Sequence, residues 1–380
     1  MKILHLITSL RIGGAEIALL NRLAAMQSQN LEHAVVCFYQ GPVVELIQKL
    51  GIRVIVIKGM FKGYDPVGLW QLHRVALAFN PDIIHASLWA ANIAARWLGK
   101  RLLIPVINEL HGNVAHEGKL RNILEKWTLT GAHRVVAVSA SVRQTYEQHL
   151  VAALPSTKQR FIASRLLTIP NGIDRDALLE RLQRHPVARQ ELGLQQDDFV
   201  IGAIGRFEKI KSYDLLIRSV ARLRELLSPV EWEKVKVVLI GDGSQRLALE
   251  ELTAALDLQQ HIIFTGYRVD AYRFYSLFDC FALSSQSEGL SIALLEAVAL
   301  GIPVMTTNLT MQHDAIEPGK NGLLIPVNDI AAYAQGLAAL YHQQLVKSGD
   351  GTPLYDFPFS IEKVTQAYQA LYYELIAQPE

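Results

Sequence analysis

Short apolar runs alternate with helix-patterned segments along almost the whole chain. In the first half, strands are expected at Ile3–Ile7, Ala34–Phe38, Val54–Ile57, Ile83–Ala86, Pro105–Asn108 and Arg134–Val138. Helices fall between them, around Ala15–Gln29, Pro42–Leu50, Val67–Phe79, Ala90–Gly99, Leu120–Thr130 and Ser141–Leu150. Strands that are apolar throughout are buried on both faces, and the intervening helices supply parallel crossovers. The pattern therefore predicts an α/β, doubly wound parallel sheet. The second half repeats it, with strands at Val200–Gly205, Lys236–Ile240, Ile262–Phe264, Cys280–Leu283 and Val304–Thr306. The change-over lies near Ile169-Pro170-Asn171-Gly172-Ile173-Asp174, followed by the polar stretch Arg181–Asp198. Two domains are expected, 1–170 and 171–359, and a length of 380 residues that are 50% hydrophobic suffices for two cores. The last segment, 360–378, carries Val364, Tyr368, Leu371 and Leu375 as one apolar stripe and reads as a surface helix.

Composition narrows the function classes. A net charge of +1 offers no general surface for nucleic acid, so none is expected as a partner. The two cysteines, Cys37 and Cys280, sit far apart in strand-like runs, which suggests buried free thiols in a reducing compartment. No Cys/His cluster has metal-ligand spacing. The N-terminus has one early positive charge and a short apolar run, and it reads as a first strand rather than a leader. No run of about 18 uncharged apolar residues is present, so no spanning helix is expected.

The chemistry concentrates between Ser284 and Pro303. A buried strand, Cys280–Leu283, leads through a polar turn to a helix over Leu290–Leu300, with Ser291 as its N-cap and Gly301 and Pro303 as its stop. A helix N-terminus presents unpaired N–H groups and a positive dipole end, which suits a phosphate. Gly289 allows close backbone approach, and Leu290 and Ser291 follow it. Glu288, in the turn, can accept from sugar hydroxyls. Glu296, about two turns further, can accept from a ribose diol at the far end of a diphosphate. It lies among Ala293, Leu294, Leu295, Ala297 and Val298, where an unpaired carboxylate is costly.

Other loops follow strands in the same way. Arg11-Ile12-Gly13-Gly14-Ala15-Glu16 follows the first strand and is either a structural turn or a ligand loop; it is not a dinucleotide fingerprint. His111, in Asn108-Glu109-Leu110-His111-Gly112-Asn113, sits at a strand's carboxyl end, where doubly wound sheets bind ligands. His85 reads as structural or acceptor-side. Arg206 and Lys211, in Gly205-Arg206-Phe207-Glu208-Lys209-Ile210-Lys211-Ser212, bracket a strand-to-helix turn and suit a diphosphate, with Ser212 able to cap the helix from about Tyr213. Gly241-Asp242-Gly243 is a plain turn or a ligand contact, and Tyr267 and Arg268 follow another strand. Asp174-Arg175-Asp176 reads as a helix start after a turn rather than as a metal site. Lys119–Thr130 places Leu120, Ile123, Leu124 and Trp127 on one face, which is expected to turn to the core, with a membrane surface as the alternative.

The phrase Ser287-Glu288-Gly289-Leu290…Leu295-Glu296-Ala297-Val298-Ala299-Leu300-Gly301-Ile302-Pro303-Val304 resembles the Glu-x7-Glu signature of the retaining family 4 glycosyltransferases. That family has the GT-B architecture, two Rossmann-like domains facing a central cleft. The other motifs match in the family's order: Gly13-Gly14 with Glu16, His111, Asn171-Gly172-Ile173-Asp174, Arg206 with Lys211, and Gly241-Asp242-Gly243. Ser212 departs from the family's Gly. The resemblance implies that Glu288 and His111 hold the transferred sugar, Glu296 the ribose, and Arg206 with Lys211 the leaving diphosphate. Asn171, Gly241, Gly243, Tyr267 and Arg268 would line the donor, with Tyr267 and Arg268 near the base. It implies a first domain on the acceptor side, packed by the final helix, and a second that binds the nucleotide sugar. The expected activity is transfer of a hexose-type sugar, from a UDP-sugar by preference, to a sugar or lipid-linked acceptor, without metal or cofactor. That setting implies bacterial polysaccharide or glycolipid assembly in the cytoplasm, at the inner face of the cytoplasmic membrane where the acceptor is lipid-linked. The alternatives on this fold are a sugar-nucleotide epimerase and a catalytically silent binding protein.

Overall fold

The computed structural model describes residues 1–27, 30–57, 65–112, 118–342 and 357–377, the side chains of Lys119 and Met311 excepted. Gln29 and Gln378, expected helix ends, and Asn113 lie outside the described residues. The chain divides into two compact units, Met1–Gly172 with Phe359–Glu380, and Ile173–Pro358.

The first unit holds seven strands: β1 (Lys2–Ser9), β2 (Glu32–Tyr39), β3 (Arg53–Val56), β4 (Ile83–Ser87), β5 (Val106–Leu110), β6 (Arg134–Ala137) and β7 (Leu166–Thr168). They form one parallel sheet in the order β3-β2-β1-β4-β5-β6-β7. β7 has only three residues, too short for its hydrophobic pattern to mark it. One face of the sheet is covered by the helices Pro66–Phe79 and Trp89–Leu102, through Leu72, Ala91, Ala94 and Leu98. The final helix, Ile361–Ala377, lays Val364, Tyr368, Leu371 and Leu375 against Ile3, Ile83, Ile107 and Val136.

The second unit holds β8 (Phe199–Ile204), β9 (Val235–Ile240), β10 (Ile262–Gly266), β11 (Cys280–Leu283), β12 (Val304–Thr307) and β13 (Gly322–Ile325). All are parallel, in the order β10-β9-β8-β11-β12-β13. The core between this sheet and the helices Tyr213–Leu223 and Ile330–Tyr341 is built from Leu216, Val220, Val237, Tyr333 and Leu337. The strand order reverses between β1 and β4 in one sheet and between β8 and β11 in the other. Crevices at such reversals, outside the carboxyl ends of the strands, are where these sheets hold ligands.

Both cysteines are buried, Cys37 on β2 and Cys280 on β11, and burial pushes the Cys37 thiol up to about 11. No helix among the described residues is long and apolar enough to cross a membrane.

Candidate active site

In the second unit the chain leaves β8 at Ile204 and turns through a short 3-10 segment, Lys209–Lys211, into the helix Tyr213–Leu223. Arg206 is exposed just past the strand end and makes no ion pair among the described residues. This loop is clamped by the Gly241–Gly243 turn. Phe207 N–H donates to Asp242 O at 2.9 Å and Gln245 N–H to Phe207 O at 2.8 Å. A side chain on Gly241 would put its Cβ 1.9 Å from Gly205 O, and one on Gly243 would meet Phe207 O at 2.6 Å. These glycines therefore act first by letting two loops touch.

Ser212 does not cap the helix. It adopts the left-handed region, φ 47°, and its hydroxyl faces Lys209 O at 3.4 Å instead of a helix N–H. The helix can start only where the 3-10 turn ends, and that geometry asks for the glycine Ser212 replaces.

The neighbouring strand β11 delivers the turn with Glu288. Gln286 N–H donates to Ile210 O at 2.8 Å and Ser284 Oγ to Lys211 O at 3.0 Å, so the two loops are stitched together. The Lys211 ammonium donates to Glu288 Oε1, which also accepts from Ser285 Oγ at 2.6 Å. Ser291 caps the helix Ile292–Ala299, as its position predicts. Gly289 is half-buried and Leu290 is buried. On the inner side of the helix, Glu296 Oε2 meets the Tyr275 hydroxyl at 2.9 Å, and that hydroxyl also lies 2.9 Å from Ala293 O. Burial raises the Glu296 carboxyl to about 7, opposed by the Tyr275 hydrogen bond and by Arg181. Tyr267 is exposed, and Arg268 is paired with Asp270 at 3.0 Å. Asp174 caps the helix Arg175–Arg184 through Ala177 N–H, at 2.9 Å.

In the first unit, Gly13 is the N-cap of the helix Gly14–Ala25, directly after β1. Glu16 is buried there and accepts from Ser9 Oγ at 2.8 Å, so its carboxylate braces the loop. Asn171 is also buried. His111 follows β5 immediately. Its Nε2 lies 3.2 Å from Glu109 Oε2. His85 is buried in β4, with Nδ1 2.7 Å from the Tyr372 hydroxyl, which makes it part of the packing.

Sequence reasoning passed over Glu109. It is 2% exposed and has five donors: Arg22 Nη1 and Nη2, the Tyr368 hydroxyl, Ser87 Oγ at 2.5 Å and His111 Nε2. Burial alone would raise its carboxyl, but Arg22 and His111 hold it well below the usual range. The available signal was a carboxylate inside an apolar strand, two residues from His111 and so on the same face.

One expectation is reversed. On the helix Lys119–Thr128, Leu120, Ile123 and Trp127 are exposed, at 62%, 47% and 77%, and only Leu124 of the expected stripe is half-buried. The opposite side is anchored by Glu125, which takes the Arg96 guanidinium at 2.5 Å and the Tyr146 hydroxyl at 2.9 Å. A buried ion pair left open would cost several kcal/mol, so the polar face turns inward and carries the apolar stripe out.

Two family models match in tandem. One, described as Glycosyltransferase Family 4, covers residues 12–177, and the other, described as Glycosyl transferases group 1, covers residues 185–349. N-acetyl-alpha-D-glucosaminyl L-malate synthase of Bacillus anthracis is 23% identical over 325 residues, 82% of this chain and 80% of that protein. The lipopolysaccharide core biosynthesis glycosyltransferase LpsD of Rhizobium meliloti is 27% identical over 307 residues, 80% of this chain and 78% of its own. The crystal structure of Anabaena HepE in complex with UDP-glucose superposes with a TM-score of 0.83, at 21% identity, covering 99% of this chain and 100% of that one. With two parallel Rossmann-like sheets and both halves of the family matched in order, the chain belongs to the GT-B glycosyltransferases of the family 4, group 1 type.

Proposed function

We propose that this chain moves a hexose-type sugar from a UDP-sugar to an acceptor hydroxyl with retention of configuration and without a metal ion. The observation that carries the reading is the Lys211–Glu288 contact at the carboxyl ends of β8 and β11, beside Arg206 and the capped helix Ile292–Ala299. A leaving diphosphate needs positive charge that grows in value as the bond breaks. Arg206, Lys211 and the helix N-terminus supply it, the role a divalent cation fills elsewhere. Glu288 and His111 hold the sugar hydroxyls, and Glu296 the ribose. In the first unit, Gly13, Gly14 and Asn171 are the residues this reading gives to substrate binding. The donor assignment is supported by HepE, solved with UDP and with UDP-glucose.

Retention is part of this reading, and the position of Glu288 supports it. Its Oε1 takes both Lys211 and Ser285, in the turn that opens the helix Ile292–Ala299, which the reading assigns to the diphosphate. A back-side base or nucleophile would need a free carboxylate on the other face of the sugar. The acceptor hydroxyl then enters on the leaving-group side and passes its proton to the departing phosphate oxygen. A saccharide or lipid-linked acceptor fits the relatives, LpsD among them. The enzyme would work in the cytoplasm, at the membrane's inner face.

The test is to incubate the protein with α-linked UDP-sugars and saccharide acceptors in the presence of a chelator. Transfer should survive chelation, and the anomeric coupling in the product should report an α-linkage. A β-glycoside, or activity restored only by magnesium or manganese, overturns the reading.

A further inference from the structure

The polar centre of the first unit is larger than His111. Glu109 lies at the end of β5, reached by Arg22 from the helix Gly14–Ala25, by Ser87 from β4, and by Tyr368 from the final helix. His85 stands 3.7 Å away and is itself held by Tyr372. The Arg22 guanidinium also rests over the Tyr368 ring, 4.4 Å from its centre. Three elements besides its own strand thus fix one carboxylate, and Arg22 cancels its charge by a two-pronged contact. What is left for His111 is direction rather than net charge.

We propose that Glu109 is a positioning residue that locks His111 as the Nε2–H tautomer, so that Nδ1 offers a lone pair to a hydroxyl of the transferred sugar. A carboxylate only accepts, so the His111 nitrogen facing Glu109 must carry the proton. In the neutral ring the other nitrogen is then an acceptor. Nδ1 has no partner among the described residues. An acceptor recognises a group with a proton to give, which suits a sugar hydroxyl and rejects a phosphate or carboxylate oxygen. The role also explains why so rigid a cluster stands behind one largely buried histidine side chain: rotation of Glu109 would need the Arg22, Ser87 and Tyr368 contacts to break together. This inference rests on the proposed function only in naming the sugar as the ligand.

The tautomer is read directly, by long-range 1H–15N NMR on the ligand-free full chain, from the alkaline plateau of a pH series. The His111→Asn variant assigns the signals. A pyrrole-type Nε2 and pyridine-type Nδ1 are expected; the reverse pattern, or an even mixture, overturns the proposal. This result stands whether or not transfer is detected. The kinetic arm is a double-mutant cycle. Glu109→Gln presents an amide that can donate, which favours the wrong tautomer. It should lower kcat by about tenfold to a hundredfold with little change in KM, less than the loss of about 10⁴ where the imidazole is the general base. In the His111→Asn background, Glu109→Gln should have no further effect. Independent, multiplying losses would show that Glu109 only supports the fold and overturn the proposal. Where Glu109→Gln fails to fold because Arg22 is stranded, Ser87→Ala serves as the milder variant. It removes a Glu109 donor without adding one, so the Nε2–H tautomer should persist; its loss would count against Glu109 as the lock.

Discussion

The Lys211 ammonium sits on Glu288 Oε1, although the two residues are 77 positions apart. One is expected to hold the diphosphate and the other the sugar, so in the ligand-free chain the two halves of the donor site neutralise each other. On the proposed reading, binding a diphosphate diverts Lys211 from Glu288. Glu288→Gln removes that competition. Nucleoside diphosphate should bind a few-fold more tightly to this variant by calorimetry, while transfer falls at least about tenfold for want of the sugar contact. Lys211→Ala and Arg206→Ala should each lower kcat by roughly a hundredfold or more, since their contacts strengthen as charge builds on the leaving group. An unchanged kcat in Lys211→Ala would remove it from the mechanism.

If Glu296 holds the ribose as proposed, donor binding should depend on pH. Its carboxyl, raised to about 7 by burial, holds a proton more tightly in the fold than in the unfolded chain. Its contribution to stability is therefore complete below about pH 4.5 and disappears as pH rises through 7. Acceptance from a ribose diol needs the ionised form. Affinity for an intact nucleotide sugar, whose diphosphate does not titrate in this range, should rise several-fold between pH 6 and 8. Glu296→Gln should bind weakly and without that rise. A flat profile for the unaltered chain would separate Glu296 from the ribose.

Ser212 holds a left-handed backbone, φ 47°, with only a 3.4 Å contact from its hydroxyl to show for it. A non-glycine residue there costs of the order of 1 kcal/mol. Ser212→Gly should raise unfolding stability by up to about 1 kcal/mol in denaturant titrations. A lower midpoint would mean that the hydroxyl contributes more than its geometry suggests.

The apolar runs located most strands because a strand buried on both faces has no polar residue to confuse it. β7, of three residues, was too short to stand out, whereas β13 was passed over although β3, β6, β11 and β12 are no longer than it. Lys211 and Glu288 were singled out in the sequence because each follows a strand, but their contact was not legible. It depends on β8 and β11 being neighbours across the reversal of strand order. Glu109 was missed for the same reason: its partners Arg22, Ser87 and Tyr368 come from three distant elements. The stripe on Lys119–Thr128 was misread because periodicity shows that a helix has two faces and not which one is anchored. The Glu125–Arg96 pair decides that.

Three buried histidines make the first unit sensitive to acid. His5 Nε2 and His33 Nδ1 are 3.0 Å apart, which requires a single proton between them, and the His5 and His85 rings are 5.5 Å apart. Burial is the main cause that lowers all three, His33 to about 4 and His85 to about 3. Arg22 opposes their protonation too, while Glu109 favours it at His5 and His85. Unfolded histidines titrate near 6.5, so the unfolded chain binds more protons below that pH. Stability should be lost as pH falls from about 6.5 toward 4, by about 1 kcal/mol per pH unit for each histidine. Urea midpoints should drop steeply over that window, and His33→Gln should flatten the drop. A pH-independent midpoint would refute the neutral cluster.

The exposed stripe on Lys119–Thr128 separates stability from membrane contact. Leu120, Ile123 and Trp127 stand in solvent, so replacing all three by Ser should shift stability by no more than about 0.5 kcal/mol per site. Buried residues of that size would cost several times as much. The helix also carries Arg121 and Lys126, the composition of a segment that lies in the interface of an anionic bilayer with its apolar face down. Indole and aliphatic side chains give area to bury, and the cations favour negatively charged headgroups. The unaltered chain should therefore sediment with vesicles containing anionic lipid, and less so as salt rises. The triple Ser variant should stay in the supernatant, with transfer to a water-soluble acceptor unchanged. If both proteins partition alike, the stripe does not meet a membrane. If the variant unfolds, Leu120, Ile123 and Trp127 are core residues after all.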